Sequence, residues 1–88
     1  MESNAPEKET ERIYSNFDHE LNKESKEFLQ THPDYFARHA AWNFNGLVWF
    51  SKGKWYEEIW IYHSIEEVLS GDTAEEVIRQ ANDEYGND

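Results

Sequence analysis

The chain has no cysteine, only eight basic side chains and no apolar run near the length of a membrane span. Without cysteine, neither a disulfide framework nor a thiolate metal site can reinforce the core. Without some 20 consecutive apolar residues, a transmembrane helix is excluded, and Met1-Glu2-Ser3-Asn4-Ala5-Pro6 lacks the basic-then-apolar pattern of a secretory leader. The expectation is a soluble, cytoplasmic protein. Eighty-eight residues suffice for one domain with a thin core, so oligomerisation is the remaining way to bury more apolar surface.

The shortage of basic residues leaves 19 acidic side chains against 8 basic ones, a net charge of −11. At this size such a charge repels nucleic acids and anionic membranes and attracts basic surfaces. Direct nucleic-acid binding is therefore disfavoured, and the natural partner is a basic DNA-binding or RNA-binding protein. Acidic disordered chains lack aromatics, whereas this one carries four Trp, five Tyr and five Phe and is expected to fold.

Residues 1–14 read as a flexible acidic tail, and residues 15–88 as a single α+β domain. Phe17, Leu21, Phe28 and Leu29 recur at helical spacing and predict a first helix over 17–31, with Ser15 or Asn16 as its cap and Pro33 at its end. Aromatic and β-branched segments over 38–50 and 54–63 flank Ser51-Lys52-Gly53-Lys54, which predicts an antiparallel β-hairpin. A two-residue Lys52-Gly53 loop sets Phe50 opposite Trp55, Val48 opposite Glu57, Gly46 opposite Ile59, Phe44 opposite Ile61 and Trp42 opposite His63. The other side then carries Leu47, Trp49, Tyr56, Trp60 and Tyr62 with Asn43, Asn45 and Glu58. A helix can cover the first side; the aromatic side has no obvious cover and is expected to form a homodimer or partner interface. Alternatively, one terminal helix covers each side. Residues 64–71 suit either a third short strand or a helical turn. Asp72 or Thr73 then caps a last helix reaching about Glu84, with Ala74, Val77, Ile78 and Ala81 inward and Gly86 after it.

Catalytic and metal chemistry find little support. His19, His32, His39 and His63 fall in no ligand-spaced motif, Glu57-Glu58 and Glu66-Glu67 point to opposite faces of a strand, and no phosphate loop or nucleophile motif is present. Neither a cofactor nor enzymatic activity is expected. Trp49, Tyr56, Trp60 and Tyr62 could stack nucleic-acid bases, but they lack a basic groove beside them.

Negative charge is instead concentrated at one end: residues 66–88 hold eight acidic side chains and one basic, a net of −7. Glu66, Glu67, Asp72, Glu75, Glu76, Asp83 and Glu84 fall on or beside the last helix, whose turns are about 5.4 Å apart. That repeat is of the same order as the phosphate repeat of a DNA strand, one charge per about 3.4 Å of axis. The expectation is a row of carboxylates that imitates phosphates; the alternative is a solubilising face.

The aromatic segment Lys54-Trp55-Tyr56-Glu57-Glu58 leading to Tyr62-His63, followed by Gly71-Asp72-Thr73-Ala74-Glu75-Glu76-Val77-Ile78, resembles the small uracil-DNA glycosylase inhibitors of Bacillus phages over roughly residues 53–80. This chain departs from them in its additional N-terminal helix. The resemblance implies a dimeric DNA mimic made by a phage for host takeover, with anti-restriction mimicry as a related outcome. The phage inhibitor of the bacterial nucleoid protein HU belongs to the same functional class. HU grips DNA along an extended basic surface, which suits a long acidic array and makes it the expected target. A scaffold protein that binds through its aromatic sheet side is the competing expectation.

Overall fold

The structure is a computed structural model that describes residues 21–86. The expected tail and the caps proposed at Ser15 and Asn16 lie outside those residues.

Helix α1 (Lys23–Thr31) starts later than its apolar spacing suggests. Asn22 is extended and its side-chain oxygen accepts the Ser25 N–H at 2.8 Å, so a cap stands where a helix over 17–31 would be continuous. Leu21 instead donates its backbone N–H to the Arg38 carbonyl at 2.8 Å, tying the entrance of α1 to the sheet. Pro33 disfavours helical backbone at His32, which takes φ −134°, ψ 70° and ends the helix.

Four antiparallel strands follow in simple meander order: β1 (Ala37–Ala40), β2 (Asn45–Ser51), β3 (Lys54–Ile61) and β4 (Ser64–Gly71). Helix α2 (Ala74–Tyr85) closes the described chain, giving an α+β fold. The hairpin register holds at Phe50/Trp55, Val48/Glu57 and Gly46/Ile59. It fails at Phe44/Ile61 and Trp42/His63, because residues 41–44 turn and split the first segment into β1 and β2, while Tyr62-His63 turns β3 into β4. Residues 64–71 are thus a full strand.

Among the described residues both helices pack on the same sheet face, so these two do not divide the faces between them. Leu29 of α1 and Ala74 and Val77 of α2 share one buried cluster with Ala37, Val48 and Trp55. Phe44, Ile59, Leu69 and Ala81 extend it towards the end of α2. The inward stripe of α2 is thus the expected one, with Ile78 half-buried beside it.

The Thr73 hydroxyl accepts the Glu76 N–H at 3.1 Å, while the Glu76 carboxylate accepts the Asp72 N–H at 3.0 Å. This is a capping-box arrangement displaced by one residue at its return bond. Gly86 follows the helix with φ −90°, a conformation open to any residue.

The two hairpin turns differ in chemistry. Lys52 and Gly53 both have positive φ, 53° and 82°, as a right-twisting two-residue turn requires. Tyr62 has φ 60° at a position where glycine is the usual occupant, and its side chain is 89% exposed. A left-handed conformation costs a bulky L-residue about 1–2 kcal/mol, less for asparagine. Tyr62→Asn is expected to raise stability by about 1 kcal/mol in urea denaturation; a loss of stability would show that the ring's few contacts outweigh the backbone strain.

Candidate functional site

The seven carboxylates expected to form one row separate into two groups. Strand β4 ends at Gly71 opposite Trp55, beside the Lys52-Gly53 turn, and α2 runs back from there until Tyr85 meets Phe44, their rings 5.9 Å apart. Asp72, Glu75 and Glu76 therefore lie at one end of a helix about 18 Å long. Glu66, Glu67, Asp83 and Glu84 lie at the other.

The first group is engaged within the fold. Glu75 pairs with Lys26 of α1, and that hydrogen bond, followed by one to its own backbone N–H, holds its carboxyl below the usual range. Glu76 belongs to the helix cap, and Asp72 lies 3.7 Å from the Lys54 ammonium. Carboxylates at a helix N-terminus also complement its dipole. These three acids have structural work, which local sequence could reveal only for Glu76 through the Thr-x-x-Glu spacing.

The second group has the opposite electrostatics. Glu67, on the helix-covered face opposite Ile59, accepts the hydroxyl hydrogen of Tyr85. Tyr85 is pushed above the ordinary tyrosine range by that hydrogen bond first, then by burial and by the fields of Glu67, Glu84 and Glu66. One phenol thus feels three carboxylates contributed by β4 and α2. The last turn of α2 contains no basic residue, so Asp83 and Glu84 face the negative end of the helix dipole. Judged by the dipole alone, that placement is unfavourable. Glu66 occupies the irregularity of β4, where Ile59 pairs with Glu67 but Trp60 pairs with Ile65. The extra residue there bends a strand and redirects its side chain.

The aromatic side of the sheet is less open than its composition suggests. Leu47, Trp49 and Tyr56 are buried within the chain, and Trp49 has no exposed surface. Phe36, just before β1, joins their cluster, with Val68 and Trp60 packed against it; the Trp49 and Tyr56 rings stack at 5.3 Å. The expectation of an uncovered face is corrected at these three positions. Trp60 is half-buried, and its indole N–H donates to buried Glu58 at 3.0 Å. Tyr62 alone of the five expected interface residues is fully presented to solvent, and Trp42 joins it at 93% exposure.

A buried acid–histidine pair was not anticipated. Glu57 points to the helix-covered face and has no exposed surface, yet its Oε2 lies 2.7 Å from His39 Nδ1, two strands away. Neighbouring strands are about 4.8 Å apart, and β2 lies between them. The bridge is possible because β2 presents Gly46 at that point: an alanine Cβ there would lie 1.9 Å from Glu57 Oε2. Among the described residues no donor reaches Glu57 Oε1. Burial raises the Glu57 carboxyl above its usual range, and His39 opposes that rise. His39 therefore pairs with Glu57 inside the sheet. The available signal was a glutamate on the apolar parity of a strand, one register step from a glycine.

Glu58 points the other way, as adjacent strand residues must, so the two carboxylates share no site. His32 stacks on Phe28 with ring centres 3.8 Å apart, and His63 is exposed in the β3–β4 turn. His19 lies outside the described residues. Among the described residues, no three His, Asp or Glu side chains gather to hold a metal, and no helix is long and apolar enough to cross a membrane.

Comparison with family models, curated proteins and solved structures finds no match to the chain.

Proposed function

We propose that this protein binds a basic nucleic-acid-binding protein by presenting carboxylates where that partner expects phosphates. The observation that carries this reading is the group formed by Glu66, Glu67, Asp83 and Glu84 at the C-terminal end of α2, where charge is concentrated against the helix dipole. At the other helix end Asp72, Glu75 and Glu76 instead complement the dipole, where they cap the helix or pair with lysines. The mimicking surface is therefore narrower than the seven-residue row, and a homodimer would double it. A phage protein that occupies the DNA site of a host nucleoid protein such as HU fits this chemistry, since such a site offers an extended basic surface. The scaffold reading loses support because three of its five expected contact residues, Leu47, Trp49 and Tyr56, are already buried in the chain.

The test is capture of a partner from bacterial lysate, followed by release with a salt gradient or with duplex DNA. The expected result is a basic protein that leaves the column at raised salt and is displaced by DNA, because screening weakens exposed charge contacts. Reversing charge in Glu66→Lys/Glu84→Lys should weaken binding by about 10- to 100-fold, at roughly 1 kcal/mol or more per contact. Glu27→Lys, an exposed change on α1, should leave it within about threefold, since screening confines charge effects to about a Debye length. Salt-insensitive capture, or equal loss in both variants, would remove the basis for mimicry.

A further inference from the structure

Two large aromatic side chains stand almost fully in solvent, Trp42 at 93% and Tyr62 at 89%. Trp42 lies in the turn between β1 and β2 and Tyr62 in the turn between β3 and β4. In an antiparallel meander alternate turns fall at the same end of the sheet. The Asn45/Trp60 pairing sets these two turns on neighbouring strands. The same end receives the C-terminus of α2: Asn43, next to Trp42, donates its side-chain N–H to the Tyr85 carbonyl at 3.1 Å. Glu84 lies in that last helical turn, and Glu66 enters β4 shortly after the Tyr62-His63 turn. Lys52 and Lys54 are at the opposite end of the sheet.

Packing does not explain either ring, and Tyr62 is held at a positive φ that its size makes unfavourable. We propose that Trp42 and Tyr62, flanked by Glu66 and Glu84, form a docking surface for an arginine-bearing segment of the basic partner. This inference rests on the proposed function and adds the chemistry of contact. A guanidinium is planar and weakly hydrated, so it stacks on an aromatic face while its N–H groups pair with a carboxylate. A lysine ammonium matches this combination less well. Nucleic-acid bases could also stack on the rings, but carboxylates beside them and a net charge of −11 oppose a phosphate backbone.

Octa-arginine, octa-lysine and a short single-stranded DNA, each titrated into the full chain and followed by tryptophan fluorescence and calorimetry, test the inference. Octa-arginine should bind several-fold tighter than octa-lysine. Trp42→Ala and Tyr62→Asn should each weaken octa-arginine by about five- to tenfold and bring it close to octa-lysine. Thermal melts of both variants separate lost contact from lost folding. Equal binding of the two peptides, indifference to both ring substitutions, or tighter binding of the DNA would overturn the inference. So would a dimer that dissociates on Trp42→Ala, because the occupant would then be a second copy. If Glu66→Gln/Glu84→Gln weakens binding while the ring variants do not, mimicry survives and the aromatic contact fails. If only the ring variants weaken it, the docking surface survives and mimicry fails.

Discussion

Gly46→Ala is expected to lower stability by about 2–3 kcal/mol, at the upper end for one methyl group forced into a packed core. The new Cβ would lie 1.9 Å from Glu57 Oε2, 2.9 Å from Glu57 Cδ and 3.2 Å from His39 Cβ. Flexible surface side chains escape such a clash by rotating. Glu57 cannot do so freely, because it has no exposed surface and its cross-strand partners Val48 and Leu69 are both buried. Either the carboxylate leaves His39, so that a second polar oxygen loses its partner in the core, or β2 moves away from β3. Urea denaturation measures the loss, and a Glu57→Ala background isolates its cause. With the carboxylate gone, the same glycine substitution should cost at least 1 kcal/mol less, the coupling expected of residues in direct contact. Additive costs would mean that Gly46 is required for some reason other than the approach of Glu57.

The register that brings these residues together was legible, because Lys52-Gly53 allows a two-residue turn and the pairings follow by counting outward. The limits of α2 were legible for a similar reason: Thr73 and Gly86 bracket a clear apolar stripe. The turns at 41–44 and 62–63 were not. Neither contains glycine or proline, and the second is made with tyrosine in a conformation that tyrosine avoids. A local reading extends a strand through such residues, whereas the sheet breaks it to place β4 beside β3. The acidic site was legible in composition and only partly in position. Lys26 and Glu75 are 49 residues apart in the chain, and only the packing of α1 and α2 on a common face reveals that Glu75 is engaged. The Glu67–Tyr85 bond likewise depends on α2 lying along β4.

Stability should fall as pH rises above about 4.5, the ordinary glutamate value, and Glu57→Gln should abolish that fall. In the unfolded chain Glu57 ionises in the usual range. In the folded chain desolvation disfavours the carboxylate more than His39 favours it, so the proton is retained to higher pH. Between the two ionisations the folded state binds the extra proton, and linkage makes stability decline by up to about 1.4 kcal/mol per pH unit. The contribution is complete below the unfolded pKa and is lost as pH passes through the folded one. Glu75 acts in the opposite sense: its carboxyl is held low by Lys26, so its contribution is present above the unfolded value and disappears on acidification. The wild-type profile should therefore have its maximum in mildly acidic solution, rising on the acid side with Glu75 and falling on the alkaline side with Glu57. Glutamine preserves the shape of Glu57 and cannot ionise, so at neutral pH the variant should be more stable by about 1–3 kcal/mol, the scale set by removing an incompletely paired buried charge. Denaturation at a series of pH values checks both slopes. A wild-type curve that climbs through neutrality, or a Glu57→Gln variant less stable than wild type at neutral pH, would mean that the ionised carboxylate and His39 hold each other strongly enough to overcome their burial.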